Sequence, residues 1–222
     1  MSGYPPLAER MRPRTLEQYI GQKHLVGEGA VLHQMVASGQ ISSIILWGPP
    51  GVGKTTLAKI IANQLERPFY VLSAINSGVK DVREAIEKAK KSRFFNSAPP
   101  ILFIDEIHRF SKSQQDSLLG AVEEGTVTLV GATTENPSFE VISPLLSRCQ
   151  VYVLEPLTRE DLMVLYHRIM KEDVVFKNRR VELKEEDALL RFSGGDARKF
   201  LNIIELVANA FQEGETIEIT NE

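Results

Sequence analysis

Two hydrophobic rhythms alternate along the first two thirds of the chain. Short apolar, β-branched runs predict buried strands at 44–47, 69–73, 101–105, 126–132 and 151–154. Between them, apolar residues recur every three or four positions. That spacing predicts helices at 55–65, 79–93 and 114–123, with a short one near 144–147. Residues 1–15 read as an irregular arm with three prolines and the basic set Arg10, Arg12 and Arg14. Residues 16–39 read as mostly helical, broken at 27–29. Strand and helix in alternation predict an α/β fold: a parallel five-stranded sheet with helices on both faces.

The texture changes after Glu155 and Pro156. Helical spacing dominates at 159–171, 185–192 and 197–211, with Leu162, Leu165, Tyr166 and Ile169 on one stripe and Phe200, Leu201 and Ile204 on another. The expected division is an arm at 1–15, an α/β core at 16–157, a small helical domain at 158–214, and 215–222. That last stretch reads as a strand or as a linker into a further region.

Composition narrows the function classes. The chain has 222 residues, 43% hydrophobic and 25% charged, the balance of a globular protein. No apolar run is long enough to span a bilayer, and the first residues carry no basic-then-apolar signal. A net charge of −3 gives no bulk electrostatic case for nucleic acid, so any DNA contact must come from a local patch or an assembled oligomer. The single Cys149 excludes an internal disulfide and a multi-cysteine metal site, and suits a reducing cytoplasm.

Residues 48–55 read GPPGVGKT, which fits the phosphate-cradling pattern G-x-x-x-x-G-K-[ST] at every specified position. An ordinary Gly/Pro turn would need neither the strand before it nor the helix after it. Gly48, Pro49, Pro50, Gly51, Val52 and Gly53 form the loop, in which the glycines allow successive N–H groups to face one anion. The helix start at Lys54, Thr55 and Thr56 adds unpaired donors and the positive end of a dipole. Lys54 suits the β- and γ-phosphates of ATP, and the Thr55 hydroxyl suits a phosphate-bound Mg2+. A second motif follows in residues 101–106, ILFIDE. A buried strand ending in two acids delivers them to the sheet edge where the phosphate loop lies. There Asp105 can orient Mg2+ and Glu106 can polarise the attacking water.

These two motifs and the helical appendix resemble the AAA+ ATPases. Ser147-Arg148-Cys149, together with the arm residues 10–16 and Ile20-Gly21-Gln22, is similar to the clamp-loader side of that superfamily. Residues 131–139 (GATTENPSF) and 195–198 (GDAR) resemble the replication-associated recombination protein A family (RarA, also MgsA), whose eukaryotic relative is the Werner-helicase-interacting ATPase. The resemblance covers nearly all of residues 7–214.

The resemblance implies further roles. Thr134 or Asn136 would be the sensor-1 residue near the γ-phosphate, and Asn136 reads equally as a turn residue before Pro137. Arg148 would be an arginine finger serving a neighbouring subunit, against the plainer reading of a surface arginine paired with an acid. Arg198, in a helix capped by Asp196, would be sensor 2 on a lid over the phosphates. Ser73 would hold Glu106 in check, and Pro13, Ile20 and Gly21 would line the adenine pocket for ATP or ADP.

The family also implies DNA-dependent ATPase action at stalled or damaged forks, on forked, gapped or duplex-end DNA. It implies contact with single-strand-binding protein, a tetramer formed through a C-terminal domain beyond this chain, and a bacterial, cytoplasmic, nucleoid-associated setting. Residues 108–112 (HRFSK) are the candidate DNA loop, and read equally as a solvated loop. A clamp-loader subunit, a Holliday-junction branch-migration motor and a nucleotide-dependent scaffold are the alternatives. Residues 74–80 lack the aromatic grip of a protein-threading machine.

Overall fold

The five apolar runs pair side by side in the computed structural model, which describes residues 3–93, 98–211 and 215–221. They are β1 (Ile44–Trp47), β2 (Phe69–Ser73), β3 (Ile101–Asp105), β4 (Thr128–Thr133) and β5 (Gln150–Val153). All neighbours are parallel, in the order β2-β3-β4-β1-β5. Alternate residues of a strand face opposite sides, and in the three central strands β1, β3 and β4 both sides are buried. Ile44, Leu46, Ile101, Phe103, Val130 and Ala132 join one core. Ile45, Leu102, Ile104 and Leu129 join another.

Helices cover both faces, as the alternation predicts. Ahead of the sheet lie three short ones, α1 (Leu7–Arg10), α2 (Lys23–Val26) and α3 (Val31–Ala37). The helix α4 (Lys54–Gln64) packs Leu57, Ala58, Ile60 and Ile61 into the first core, with Leu16, Tyr19 and Leu32. On the other face α5 (Val79–Arg93) contributes Val82, Ile86 and Ala89, and α6 (Lys112–Glu123) contributes Leu118 and Ala121. Two single-turn helices, α7 (Pro137–Glu140) and α8 (Ser143–Leu146), precede β5.

A second, mostly helical unit follows. It contains α9 (Arg159–Glu172), β6 (Val181–Leu183), α10 (Asp187–Ser193), α11 (Ala197–Asn209) and β7 (Ile217–Ile219). Its own core holds Leu162, Leu165, Tyr166, Ile169, Phe176, Phe200 and Ile204.

The structure departs from the hydrophobic pattern in four places. Residues 7–10 are helical, not irregular. Pro6 precedes the turn, and Leu7 and Met11 sit in the core of the second unit. Residues 16–22 form turns rather than helix, because Gly21 and Gln22 both take left-handed backbone. Strand β4 starts at 128, not 126: the N–H groups of Thr126 and Val127 are taken by the Ala121 carbonyl as the chain leaves α6. Finally, β6 is a strand the sequence did not suggest. It pairs in parallel with 217–219, which is a strand, one of its two expected readings, and buries Ile217 and Ile219. The edges of the expected small domain at 212–214 lie outside the described residues.

Candidate functional site

The phosphate loop leaves the end of β1, which lies between β4 and β5. In this kind of sheet, that is where crossovers part and ligands bind. The loop begins with the Gly48 N–H donating to the Thr133 carbonyl at the end of β4 (3.1 Å). Its helix, α4, has no side-chain cap and no acid in its first turn. By contrast α6, α9 and α11 are capped by Ser111, Thr158 and Asp196. The first N–H groups of α4 are therefore left for an anion, and the chain cap is glycine rather than a competing oxygen. Lys54 is 7% exposed, and its ammonium donates to the carbonyls of Gly48 (2.6 Å) and Pro49 (2.7 Å). Burial lowers its pKa, while Glu106, Asp105 and Asp196 oppose that fall and Arg198 adds to it. The field at Lys54 thus brings together the residues expected to flank a triphosphate.

Asp105 closes β3, and Glu106 follows with left-handed backbone (φ +56°), turning the chain into a 3-10 turn at Ile107–Arg109. Among the described residues, neither Thr55 nor Asp105 spends its side-chain oxygens on a protein hydrogen bond. A hydroxyl and a carboxylate left open at one sheet edge are the hard oxygen donors that Mg2+ takes, together with phosphate oxygens and water. Thr134 lies half-buried just past β4. Asn136 caps α7, its side-chain oxygen accepting from the Ser138 N–H (3.0 Å), so of the two sensor candidates Asn136 is committed to the turn.

Arg198 is exposed in the first turn of α11 and borders a cavity of about 130 Å3 between the two units. Pro13 and Ile20 line it, with Met11, Val52, Leu157, Leu165 and Leu201. Thr56 and Arg168 also border it. Gly21 does not: its backbone packs on Leu157, where a Cβ would come within 2.4 Å of Leu157 Cδ2. Apolar walls with backbone groups at the rim suit a purine ring.

Two sequence assignments are corrected. Ser73 makes no hydrogen bond to Glu106. That carboxylate instead lies 3.3 Å from His108 Nε2 and 3.8 Å from Arg109 Nε. The 108–112 segment is not a solvated loop. His108 bonds Thr133 Oγ1 (3.0 Å), Phe110 is buried, and Ser111 caps α6 in a reciprocal pair with Gln114. Within its own chain Arg148 has the contacts of a surface arginine paired with an acid. It forms an ion pair with Glu123 and donates to the Pro144 carbonyl. Burial pushes the Cys149 thiol up to about 12, so it is no nucleophile.

Other contacts are visible only in three dimensions. The buried Tyr19 hydroxyl donates to the Val52 carbonyl (2.9 Å), fixing the phosphate loop from the N-terminal side. From the other side, the Ala197 N–H donates to the Gly51 carbonyl (3.0 Å). Asp196 lies against the same glycine. The sequence marks Asp196 as a cap but carries no signal for Tyr19.

Comparison with known proteins agrees with this geometry. The model of the ATPase family associated with various cellular activities (AAA) matches residues 44–157. Replication-associated recombination protein A of Haemophilus influenzae is 47% identical over 96% of this chain and 48% of its own length. The protein of the same name from Escherichia coli K12 is 47% identical over 93% of this chain and 46% of its own. This chain spans about half the length of the curated relatives it matches. Among solved structures, the Thermotoga maritima RuvB Holliday junction branch migration motor aligns with a TM-score of 0.75 at 28% identity. That alignment covers 96% of this chain and 70% of that one.

Proposed function

This chain belongs to the AAA family of ATPases, and we propose that it binds and hydrolyses ATP to drive DNA remodelling in replication-associated recombination and repair. The observation that carries the nucleotide reading is the uncapped start of α4, with buried Lys54 in the field of Asp105 and Glu106. The DNA reading rests on the likeness to replication-associated recombination protein A.

In the proposed reaction, first-turn N–H groups of α4 and Lys54 hold the β- and γ-phosphates. Thr55 and Asp105 would hold Mg2+, which when bound would screen phosphate charge. Glu106 takes a proton from water as the water oxygen bonds to the γ-phosphorus. The bond from that phosphorus to the β–γ bridging oxygen breaks, and its electron pair leaves with ADP. Thr134 and Arg198 face the γ-phosphate from the core and from the helical unit, which acts as a lid. Arg148 serves the site of a neighbouring copy, where its fixed charge stabilises the transition state. Pro13 and Ile20 flank the adenine.

The test separates binding from chemistry. Lys54→Ala should lose ATP affinity by about 100-fold or more, since a charge-assisted contact inside the loop is removed. Glu106→Gln should bind ATP normally and hydrolyse it roughly 100- to 1,000-fold more slowly. Turnover of Glu106→Gln at the wild-type rate would overturn the assignment. The likeness to RuvB favours a second reading, a four-way-junction motor. ATPase rates across single-stranded, blunt, gapped, forked and four-way DNA distinguish the two. Stimulation by forked or gapped DNA supports the first, selective stimulation by junctions the second, and flat rates remove both.

A further inference from the structure

His108 stands between the proposed catalytic carboxylate and the next strand of the sheet, with 11% of its side chain exposed. One ring nitrogen, Nε2, lies 3.3 Å from Glu106 Oε2. The other, Nδ1, lies 3.0 Å from Oγ1 of Thr133, which is fully buried at the end of β4. Thr133 Oγ1 also accepts from the Glu135 N–H (3.0 Å) and lies 3.1 Å from the Glu135 carbonyl oxygen. The turn so pinned contains Thr134.

Proton counting orients this chain. A threonine hydroxyl has one proton to donate, and a neutral imidazole has one donor and one acceptor nitrogen. Were the imidazole proton on Nδ1, the Nε2 lone pair would face a carboxylate, acceptor against acceptor. With the proton on Nε2, both ring nitrogens and the Glu106 carboxylate have partners. Glu135 N–H donates to Thr133, Thr133 O–H donates to Nδ1, and Nε2–H faces Glu106. The backbone reinforces this: Glu106 is held at φ +56°, a conformation non-glycine residues seldom adopt, so the start of its side chain is fixed.

We propose that His108 is a positioning residue that aims the Glu106 carboxylate, and that Thr133 ties that aim to the turn bearing Thr134. The inference rests on the reading of Glu106 as the base for ATP hydrolysis. The Thr133 proton can serve His108 or the Glu135 carbonyl but not both. A shift of the 134–135 turn on contact with the γ-phosphate therefore changes what holds His108, and through it Glu106. The switch expected of Ser73 is carried by His108.

Two substitutions split the two ends of the imidazole. His108→Gln places an amide nitrogen near the reach of Nε2 and keeps a donor for Glu106. His108→Asn places one near the reach of Nδ1 and keeps only Thr133. Steady-state kcat and KM are measured on the chain with ATP and Mg2+ for wild type, Glu106→Gln, both His108 variants and the double variant His108→Asn/Glu106→Gln. His108→Asn should lower kcat by roughly 10- to 100-fold with KM within about twofold, and His108→Gln should stay within about threefold of wild type. The double variant should be no slower than Glu106→Gln alone. A Glu106-dependent rate that His108→Asn leaves unchanged overturns this inference alone. So does an equal loss in both His108 variants, the signature of a merely structural role. Equal turnover of wild type and Glu106→Gln overturns the hydrolytic reading, and this inference with it.

Discussion

Gly51 answers two demands at once. Its backbone is left-handed (φ +74°), and a Cβ there would fall 1.8 Å from the Asp196 carboxylate that caps α11. Gly51→Ala should therefore cost about 1–2 kcal/mol from the backbone alone, plus whatever is needed to push Asp196 aside. Thermal melts of Gly51→Ala with and without Asp196→Ala check this. If Asp196 is the obstacle, the second change should recover roughly 1 kcal/mol or more of the loss. Simple addition of the two losses would show that α11 does not press on the loop. Residues 48–55 and Asp105 with Glu106 were legible in the sequence because their chemistry is packed into contiguous letters. The approach of Asp196 to Gly51, and of His108 to Thr133, was not, because each joins segments that only the fold brings together.

At the scale of elements, the single turn α1 shows why the arm could not be read. Four residues cannot hold a helix unaided. This one is held by Leu7 in the core of the second unit and by Arg10, whose guanidinium grips Asp173 at 2.7 and 3.1 Å. Burial raises the Asp173 pKa, but the Arg10 contact and the N–H groups of Phe176 and Val175 outweigh it, leaving the carboxyl below its usual value. A carboxyl depressed in the native state contributes stability above its unfolded value of about 4 and loses it as pH falls through the native value. Asp173→Asn should thus cost about 2–3 kcal/mol at pH 7, a fall of roughly 5–10 °C in Tm. The gap from wild type should close below about pH 4. A gap independent of pH would mean that Asp173 acts only through packing. The main strands and long helices were legible because their burial is periodic. Strand β6 and its pairing with β7 were not: three residues carry too little alternation, and the two meet only after α10 and α11 have come between them.

For the molecule as a whole, the proposal divides one reaction between copies. Glu106 works in its own chain, while Arg148, paired with Glu123, is not among the charges that act on Lys54. ATPase activity per chain should then rise with protein concentration. Arg148→Ala should flatten that rise by roughly tenfold or more without altering ATP affinity. Mixing Arg148→Ala chains with Glu106→Gln chains should restore turnover, because each mixed contact rebuilds one complete site. Two inactive pools that stay inactive when mixed would argue against sharing. The arm adds a constraint of a different kind. The Leu7 N–H finds its acceptor on Glu205, 198 residues later in the chain. At ribosomal speeds the first helix emerges roughly 10–40 s before its anchor exists. For that interval Leu7 and Met11 are exposed on a nascent chain, a natural mark for chaperones, and closing the arm onto α11 waits until that helix has been made.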